Sequence, residues 1–298
     1  MVRAHDEAQY EMTIPTLSAH GATMPVIGLG TSGMGDVRAE SIATALKLGY
    51  RHIDTAWKYG TERQVGEGMR ASGVPRADIF LCTKVSHEYL HADDFARSVD
   101  ESLKTLGVDY VDLLLVHWPN LEAPLAETMT ALAKAKRQGV ARHVGVANFN
   151  ISLLDQAIAL CPAPLVTLQA EYHPYLDQTT LLKACRTRGM IYTAYCPLGR
   201  GRLFKDPVLA EIARQKGKTI AAGGTALARP ERYRCAHSAL LEPRPSGREH
   251  CSVRFLAQRR GDEAHRHAQA AGRPHRQSDR PRAAMGCLGH ARARSASW

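Results

Sequence analysis

Short apolar runs alternate with segments of helical spacing along most of the chain. Between the runs, apolar side chains recur every three or four residues, as at Phe95, Val99, Leu103 and Leu106, which indicates amphipathic helices. The runs themselves are nearly continuous in apolar residues, which is typical of strands buried on both faces. They lie at residues 26–32, 50–56, 79–85, 110–118, 141–149, 165–173 and 190–197.

Buried strands joined by crossover helices predict a parallel sheet covered by helices. An α/β fold of the (β/α)8 TIM-barrel type is the leading architecture, and a doubly wound sheet is the alternative on pattern alone. The glycines after the first run, in GLGTSGMGD, do not have the GxGxxG spacing that a dinucleotide-binding doubly wound sheet would show. A chain of 298 residues with 44% hydrophobic residues can bury one barrel core.

The formal net charge of +10 is unevenly distributed. Residues 229–298 hold 15 Arg, no Lys and 6 acidic residues, so they carry +9 and leave +1 for the rest of the chain. A nearly neutral body does not favour a nucleic-acid or anionic-membrane partner.

The seven cysteines are widely spaced and show neither CxxC nor Cys/His ligand spacing. We therefore expect free thiols in a reducing compartment and no metal site. The N-terminal residues are polar without an apolar signal core, and no run approaches the roughly 20 apolar residues of a membrane span. These features predict a cytoplasmic protein with no membrane partner.

Four polar residues fall at or just after predicted strands: Asp54, Tyr59, Lys84 and His117. Barrel enzymes carry their chemistry at the carboxyl ends of the strands, so these side chains are candidate catalytic residues. Singly, each has a structural explanation, such as a turn cap, a surface aromatic, a solvated lysine or a core histidine. Their joint placement in strand order favours a catalytic role.

The four residue types suit the reduction of a carbonyl group. Tyr59 is the candidate acid that protonates the developing alkoxide, and the Lys84 ammonium is expected to lower the pKa of Tyr59. Asp54 is the expected counter-ion of Lys84, because an unpaired buried charge is costly. His117 would donate a hydrogen bond to the substrate oxygen.

The segments DTAWKYG, TKV and LLVHWP, which carry these residues, resemble the catalytic motifs of the aldo-keto reductases. The resemblance covers residues 14–221. It implies a catalytic tetrad of Asp54, Tyr59, Lys84 and His117 and hydride transfer from NADPH to a small-molecule carbonyl. NADH remains an alternative cofactor. The implied substrate is a small aldehyde, ketone or keto-sugar, such as a diketo-gluconate.

The resemblance also implies a cofactor site at later strand ends. Asn148 and Gln169 match residues that bind the nicotinamide carboxamide, and Tyr195 matches the aromatic residue on which the nicotinamide stacks. Ala147 stands where the family has a serine, so one hydrogen bond is expected to be absent. Turn-capping amides and a core tyrosine are the alternative explanation.

The loop after the seventh run resembles the segment that approaches the cofactor pyrophosphate. It contains Pro197, Leu198 and Gly199. Gly199 would allow close approach of the backbone. Trp57 and Trp118 are candidates for the substrate pocket, and plain burial is an equal alternative.

Residues 222–298 depart from the family pattern. Residues 229–298 contain no Ile and one Val, a composition from which we expect no buried parallel strand. Permitted codons for residues 222–236, read from their second base, encode QVALRWLVQSAIVVP, which has the expected helix and strand. We therefore infer a frameshift near residue 221. The predicted organisation is a barrel over residues 1–221, incomplete at its eighth strand, and a disordered Arg-rich tail over residues 222–298. We therefore expect the chain as written to bind NADPH weakly and to be inactive even with its tetrad intact.

Two other functions remain open from the sequence. The barrel could be a non-catalytic, cofactor-binding subunit, or the Arg-rich tail could be a nucleic-acid-binding arm. The intact tetrad favours an enzyme, and the tail lacks the lysines and interleaved aromatic residues of a nucleic-acid arm. The leading expectation is a monomer with no nucleic-acid partner.

Overall fold

The computed structural model describes residues 14–32 and 38–221, together with the backbone of Cys235–Ala239. At its centre is a closed barrel of eight parallel strands, arranged in chain order. The barrel strands are Ile27–Gly30 (β3), His52–Asp54 (β4), Phe80–Val85 (β5), Val111–Val116 (β6), Ala141–Ala147 (β7), Leu165–Glu171 (β8), Ile191–Tyr195 (β9) and Cys235–Ala239 (β10). The first seven lie within the seven predicted apolar runs, which confirms the TIM-barrel prediction.

Helices follow the strands and cover the outside of the barrel. They are Ala39–Lys47 (α1), Glu62–Ser72 (α2), Ala92–Leu106 (α3), Leu125–Arg137 (α4), Ile151–Leu160 (α5), Thr179–Thr187 (α6) and Pro207–Gln215 (α7). The predicted stripe of Phe95, Val99, Leu103 and Leu106 is buried on α3. Burial of this stripe holds the helix against the strands, as the helical spacing predicted.

A hairpin that the sequence analysis did not predict precedes the barrel. Thr16–Ala19 (β1) pairs antiparallel with Ala22–Pro25 (β2). The two connecting residues, His20 and Gly21, have φ angles of 48° and 84°, the positive values of a type I′ turn. Met24 packs in one apolar cluster with Phe80, the first residue of β5. The hairpin therefore covers the amino-terminal end of the barrel.

The eighth strand corrects one expectation. We expected no parallel strand from residues 229–298, but Cys235–Ala239 pairs parallel with both β9 and β3 and closes the barrel. The expectation considered only side-chain burial. The facing edges of β3 and β9 offer backbone donors and acceptors that any proline-free segment can pair with. The rest of the predicted tail, and the disorder predicted for it, lies outside the described residues.

Candidate active site

A buried ion pair lies at the carboxyl ends of β4 and β5. Lys84 Nζ pairs with Asp54 Oδ1 and also donates to the backbone oxygen of Thr55 at 2.8 Å. Lys84 and Asp54 are only 1% and 3% exposed. Burial is the largest single influence and acts to lower the pKa of Lys84, but the attraction and hydrogen bond of Asp54, together with smaller contributions from Tyr59 and Cys82, outweigh it and the pKa is raised. Lys84 is therefore an ammonium with a fixed counter-ion, as predicted.

Tyr59 and His117 meet above this pair. Tyr59 ends a short 3₁₀ turn, Trp57–Tyr59, that follows β4, and His117 follows β6 directly. Tyr59 Oη and His117 Nε2 are 3.4 Å apart, and the two rings meet edge to face. Lys84 Nζ lies 5.0 Å from the centre of the Tyr59 ring. All four predicted tetrad residues are thus brought together.

The ionisation of Tyr59 differs from the expectation. Burial raises the pKa of Tyr59, and the positive charge of Lys84 lowers it by a smaller amount, so the net pKa is above its ordinary value. The expected net lowering by Lys84 was wrong because the sequence does not show how deeply the phenol is desolvated. A raised pKa keeps the proton on Tyr59 at neutral pH.

His117 is a neutral imidazole. Burial, followed by the positive charge of Lys84, lowers the pKa of His117 to about 3. A neutral imidazole has one N–H donor and one acceptor nitrogen. Two atoms 3.4 Å apart can both lie about 2.8 Å from a third oxygen, so Tyr59 and His117 can bind one carbonyl oxygen together.

The predicted carboxamide residues lie at the ends of the next strands. Asn148 follows β7 with a φ angle of 64°, and its amide donates to the His117 backbone oxygen at 2.8 Å. Tyr195, the last residue of β9, donates its hydroxyl to Asn148 Oδ1 at 2.8 Å. Gln169 in β8 donates to Asp54 Oδ2 at 2.6 Å. These three residues therefore adjoin the tetrad.

The loop after β9 contains Pro197, Leu198 and Gly199. Gly199 has a φ angle of 57°, and a Cβ at this position would lie 2.7 Å from Leu203 Cδ1. The positive φ angle favours glycine here, and a larger residue would have to displace the Leu203 side chain, so the glycine has a local structural reason as well.

The two predicted pocket tryptophans differ in environment. Trp57 is half-buried and meets Tyr89 edge to face with ring centres 4.9 Å apart. Trp118 is 43% exposed immediately after His117. Trp57 is thus held in place by a second aromatic residue, whereas Trp118 presents apolar surface beside the tetrad.

Sequence reasoning missed several polar supports of the site. Glu62 is buried and accepts a hydrogen bond at 2.6 Å from Thr83, the neighbour of Lys84. Burial raises the pKa of Glu62. The hydroxyls of Thr31, Thr55 and Thr61 contact one another at 2.9 to 3.1 Å. No spacing in the sequence signals these contacts, because the residues come from different elements.

The residues beside the tetrad suit a nicotinamide cofactor. Asn148 and Gln169 offer primary amides, and Tyr195 offers a half-buried ring at an adjoining strand end. Among the described residues, no cluster of His, Cys, Asp or Glu has the arrangement of a metal site. The same residues include no helix both long and apolar enough to cross a bilayer.

A parallel barrel with a buried charge pair at its carboxyl end is typical of an enzyme. The chain belongs to the aldo/keto reductase family, whose model matches residues 26–229. It is 40% identical over 240 residues to methylglyoxal reductase DkgB of Salmonella typhimurium, covering 79% of this chain and 88% of the relative. An aldo-keto reductase of Mycolicibacterium vanbaalenii is 40% identical over 201 residues, with 67% and 72% of the two chains covered.

Solved structures agree with this assignment. A protein assigned as 2,5-diketo-D-gluconic acid reductase B superposes with a TM-score of 0.81 at 38% identity, covering 88% of this chain and 93% of the other. An aldo-keto reductase of Bombyx mori in complex with NADP superposes with a TM-score of 0.75 at 26% identity, covering 86% and 92%. The chain is thus an NAD(P)H-dependent oxidoreductase that reduces carbonyl groups.

Proposed function

We propose that the chain reduces small dicarbonyl compounds, such as methylglyoxal and 2,5-diketo-D-gluconate, with NADPH as the cofactor. The observation that carries the proposal is the 3.4 Å approach of Tyr59 to neutral His117 above the Lys84–Asp54 pair. The named activities of two relatives support the substrate class. The NADP complex of a structural neighbour supports the cofactor.

Each tetrad residue has one task in this reaction. His117 donates a hydrogen bond that orients the carbonyl oxygen, and Tyr59 Oη transfers its proton to that oxygen. Lys84 stabilises the resulting phenolate, and Asp54 holds Lys84 in place without competing for the substrate. The bound cofactor supplies the hydride that the carbonyl carbon accepts.

The remaining predicted residues bind cofactor and substrate. Asn148 and Gln169 would hold the carboxamide, and the ring of Tyr195 would pack against the nicotinamide. Trp57 and Trp118 line the substrate pocket, where their apolar rings exclude water from the reacting carbonyl. The 197–199 loop would hold the pyrophosphate.

The experiment follows NADPH oxidation by the 298-residue chain with methylglyoxal, 2,5-diketo-D-gluconate and a simple aldehyde, and repeats each assay with NADH. Tyr59→Phe should lower turnover by roughly 100-fold or more while NADPH still binds, because only the proton donor is removed. Tyr110→Phe is the matched control, since Tyr110 lies between Arg76 and Arg142 away from the tetrad. Parent-like turnover in Tyr59→Phe would remove Tyr59 from its role.

We infer that the enzyme works as a cytoplasmic monomer without a nucleic-acid partner. The nearly neutral body and the dispersed free cysteines support this inference. Light scattering should give a mass close to 32.7 kDa. A salt-sensitive complex with DNA that depends on residues 222–298 would favour the nucleic-acid arm instead.

A further inference from the structure

Gln169 is hydrogen-bonded to a residue of the tetrad. It lies in β8, is 3% exposed, and donates from Nε2 to Asp54 Oδ2 at 2.6 Å. The other carboxylate oxygen, Oδ1, pairs with Lys84. A carboxylate paired with an ammonium can only accept hydrogen bonds, so the amide nitrogen of Gln169 must face it. The orientation of this amide is therefore set by the charge pair.

We propose that Gln169 is a positioning residue that holds the Asp54 carboxylate so that Lys84 stays directed at Tyr59. The inference rests on the proposed function and deepens the role of one cofactor residue. With each oxygen held by a different group, the carboxylate cannot rotate without losing a bond inside the barrel. A buried acceptor that loses its donor is costly, so the arrangement resists rotation.

Gln169 also limits how strongly Asp54 acts on Tyr59. The negative charge of Asp54 disfavours the Tyr59 phenolate and the positive charge of Lys84 favours it. The N–H donor of Gln169 compensates part of the Asp54 charge and shifts this balance towards Lys84. Without the donor, more of the Asp54 charge acts on Tyr59, and the phenol holds its proton more tightly.

The same side chain joins the charge pair to the cofactor site. Because the nitrogen faces Asp54, the amide oxygen lies on the other side of the amide group. That oxygen can accept a hydrogen bond from the NH₂ group of a carboxamide. Ala147 is paired in register with Gln169 on β7 and has no hydroxyl. Of these two paired residues, only Gln169 has a side-chain acceptor for the carboxamide.

The test uses Gln169→Met, which keeps the length but removes the donor, and Gln169→Glu, which keeps the shape. Gln178→Met is the matched control, because Gln178 donates to the Glu171 backbone oxygen at 2.9 Å rather than to a tetrad residue. Two properties are measured for each protein. One is the pH dependence of kcat for methylglyoxal reduction. The other is the ultraviolet titration of Tyr59 without cofactor, obtained by subtracting Tyr59→Phe in the same background.

In Gln169→Met, the alkaline limb of kcat and the Tyr59 titration should both move up by about one pH unit, a tenfold change in proton affinity. Gln169→Glu should behave like the parent at low pH, where a protonated Glu can donate to Asp54, and lose activity as that proton leaves. Gln178→Met should match the parent.

An unchanged Tyr59 titration and an unchanged kcat limb in Gln169→Met, with only weaker cofactor binding, would overturn the inference. Gln169 would then be a cofactor contact alone. If the parent reduces no carbonyl compound, the proposed function fails, but the cofactor-free titration of Tyr59 still decides the role of Gln169.

Discussion

His117 provides a stability test of the buried tetrad that does not require turnover. Its imidazole is half-buried, contacts Tyr59, and has its pKa lowered to about 3 by burial and by the charge of Lys84. In the unfolded chain the histidine has its ordinary value of 6.5. Replacing His117 by Gln or Asn keeps a neutral polar side chain but removes the titrating group.

The sign follows from where the proton binds. Between pH 6.5 and about 3, the unfolded chain binds a proton at His117 and the folded protein does not. Folding of the parent is therefore disfavoured progressively as the pH falls through this window. At pH 4 the two values correspond to about 3 kcal/mol, because each pH unit is worth about 1.4 kcal/mol. Partial exposure of the ring to solvent reduces the expected effect to about 2 kcal/mol.

The assay is urea unfolding of the parent, His117→Gln and His117→Asn at intervals from pH 7 to pH 4. The difference in unfolding free energy between parent and variant removes the contributions of all other titrating groups. The parent should lose about 2 kcal/mol relative to either variant across this range, with the same slope for both. A difference that stays constant with pH would show that His117 titrates normally in the folded protein, and the inference that its imidazole stays neutral would be wrong.

Three further predictions concern the Lys84–Asp54 ion pair, Asp112 at the amino-terminal end of the barrel, and residues 222–298. Lys84→Met should lower turnover roughly 100-fold and move the alkaline limb of kcat to higher pH, because it removes the positive charge that lowers the pKa of Tyr59. A parent-like pH profile would contradict the effect of Lys84 on Tyr59. Asp112→Asn should cost about 2 to 4 kcal/mol in urea unfolding, since buried Asp112 accepts from Arg76, Arg142 and the Leu81 backbone; an unchanged midpoint would contradict this. Restoring the alternative reading frame after residue 221 should raise the unfolding midpoint and NADPH affinity, and equal values for both chains would refute the expectation that the chain as written binds NADPH weakly.

The periodicity of apolar residues predicted most of the fold. Each of the first seven barrel strands falls inside a predicted run, because a parallel strand covered on both faces must be apolar over nearly its whole length. The hairpin at 16–25 was missed, although His20-Gly21 is a two-residue turn of a common type. The closing strand at Cys235–Ala239 was wrongly excluded on the amino-acid composition of residues 229–298. Its backbone pairs with the open edges of β3 and β9, and this pairing depends little on side-chain type.

The sequence by itself determined which residue types stand at the strand ends. Since the carboxyl ends of parallel strands meet at one end of a barrel, Asp54, Lys84 and His117 could be placed together without coordinates. Tyr59 follows the second predicted strand and was included on the same ground. The resemblance of these segments to aldo-keto reductase motifs added the cofactor residues.

Only the tertiary structure decided how these groups interact. The bond from Gln169 to Asp54 joins residues 115 positions apart, and no local pattern predicts it. The raised pKa of Tyr59 and the lowered pKa of His117 depend on how much water surrounding elements exclude. Desolvation and hydrogen-bond partners are properties of the packed barrel, whereas the positions of the polar residues in the strands are properties of the chain.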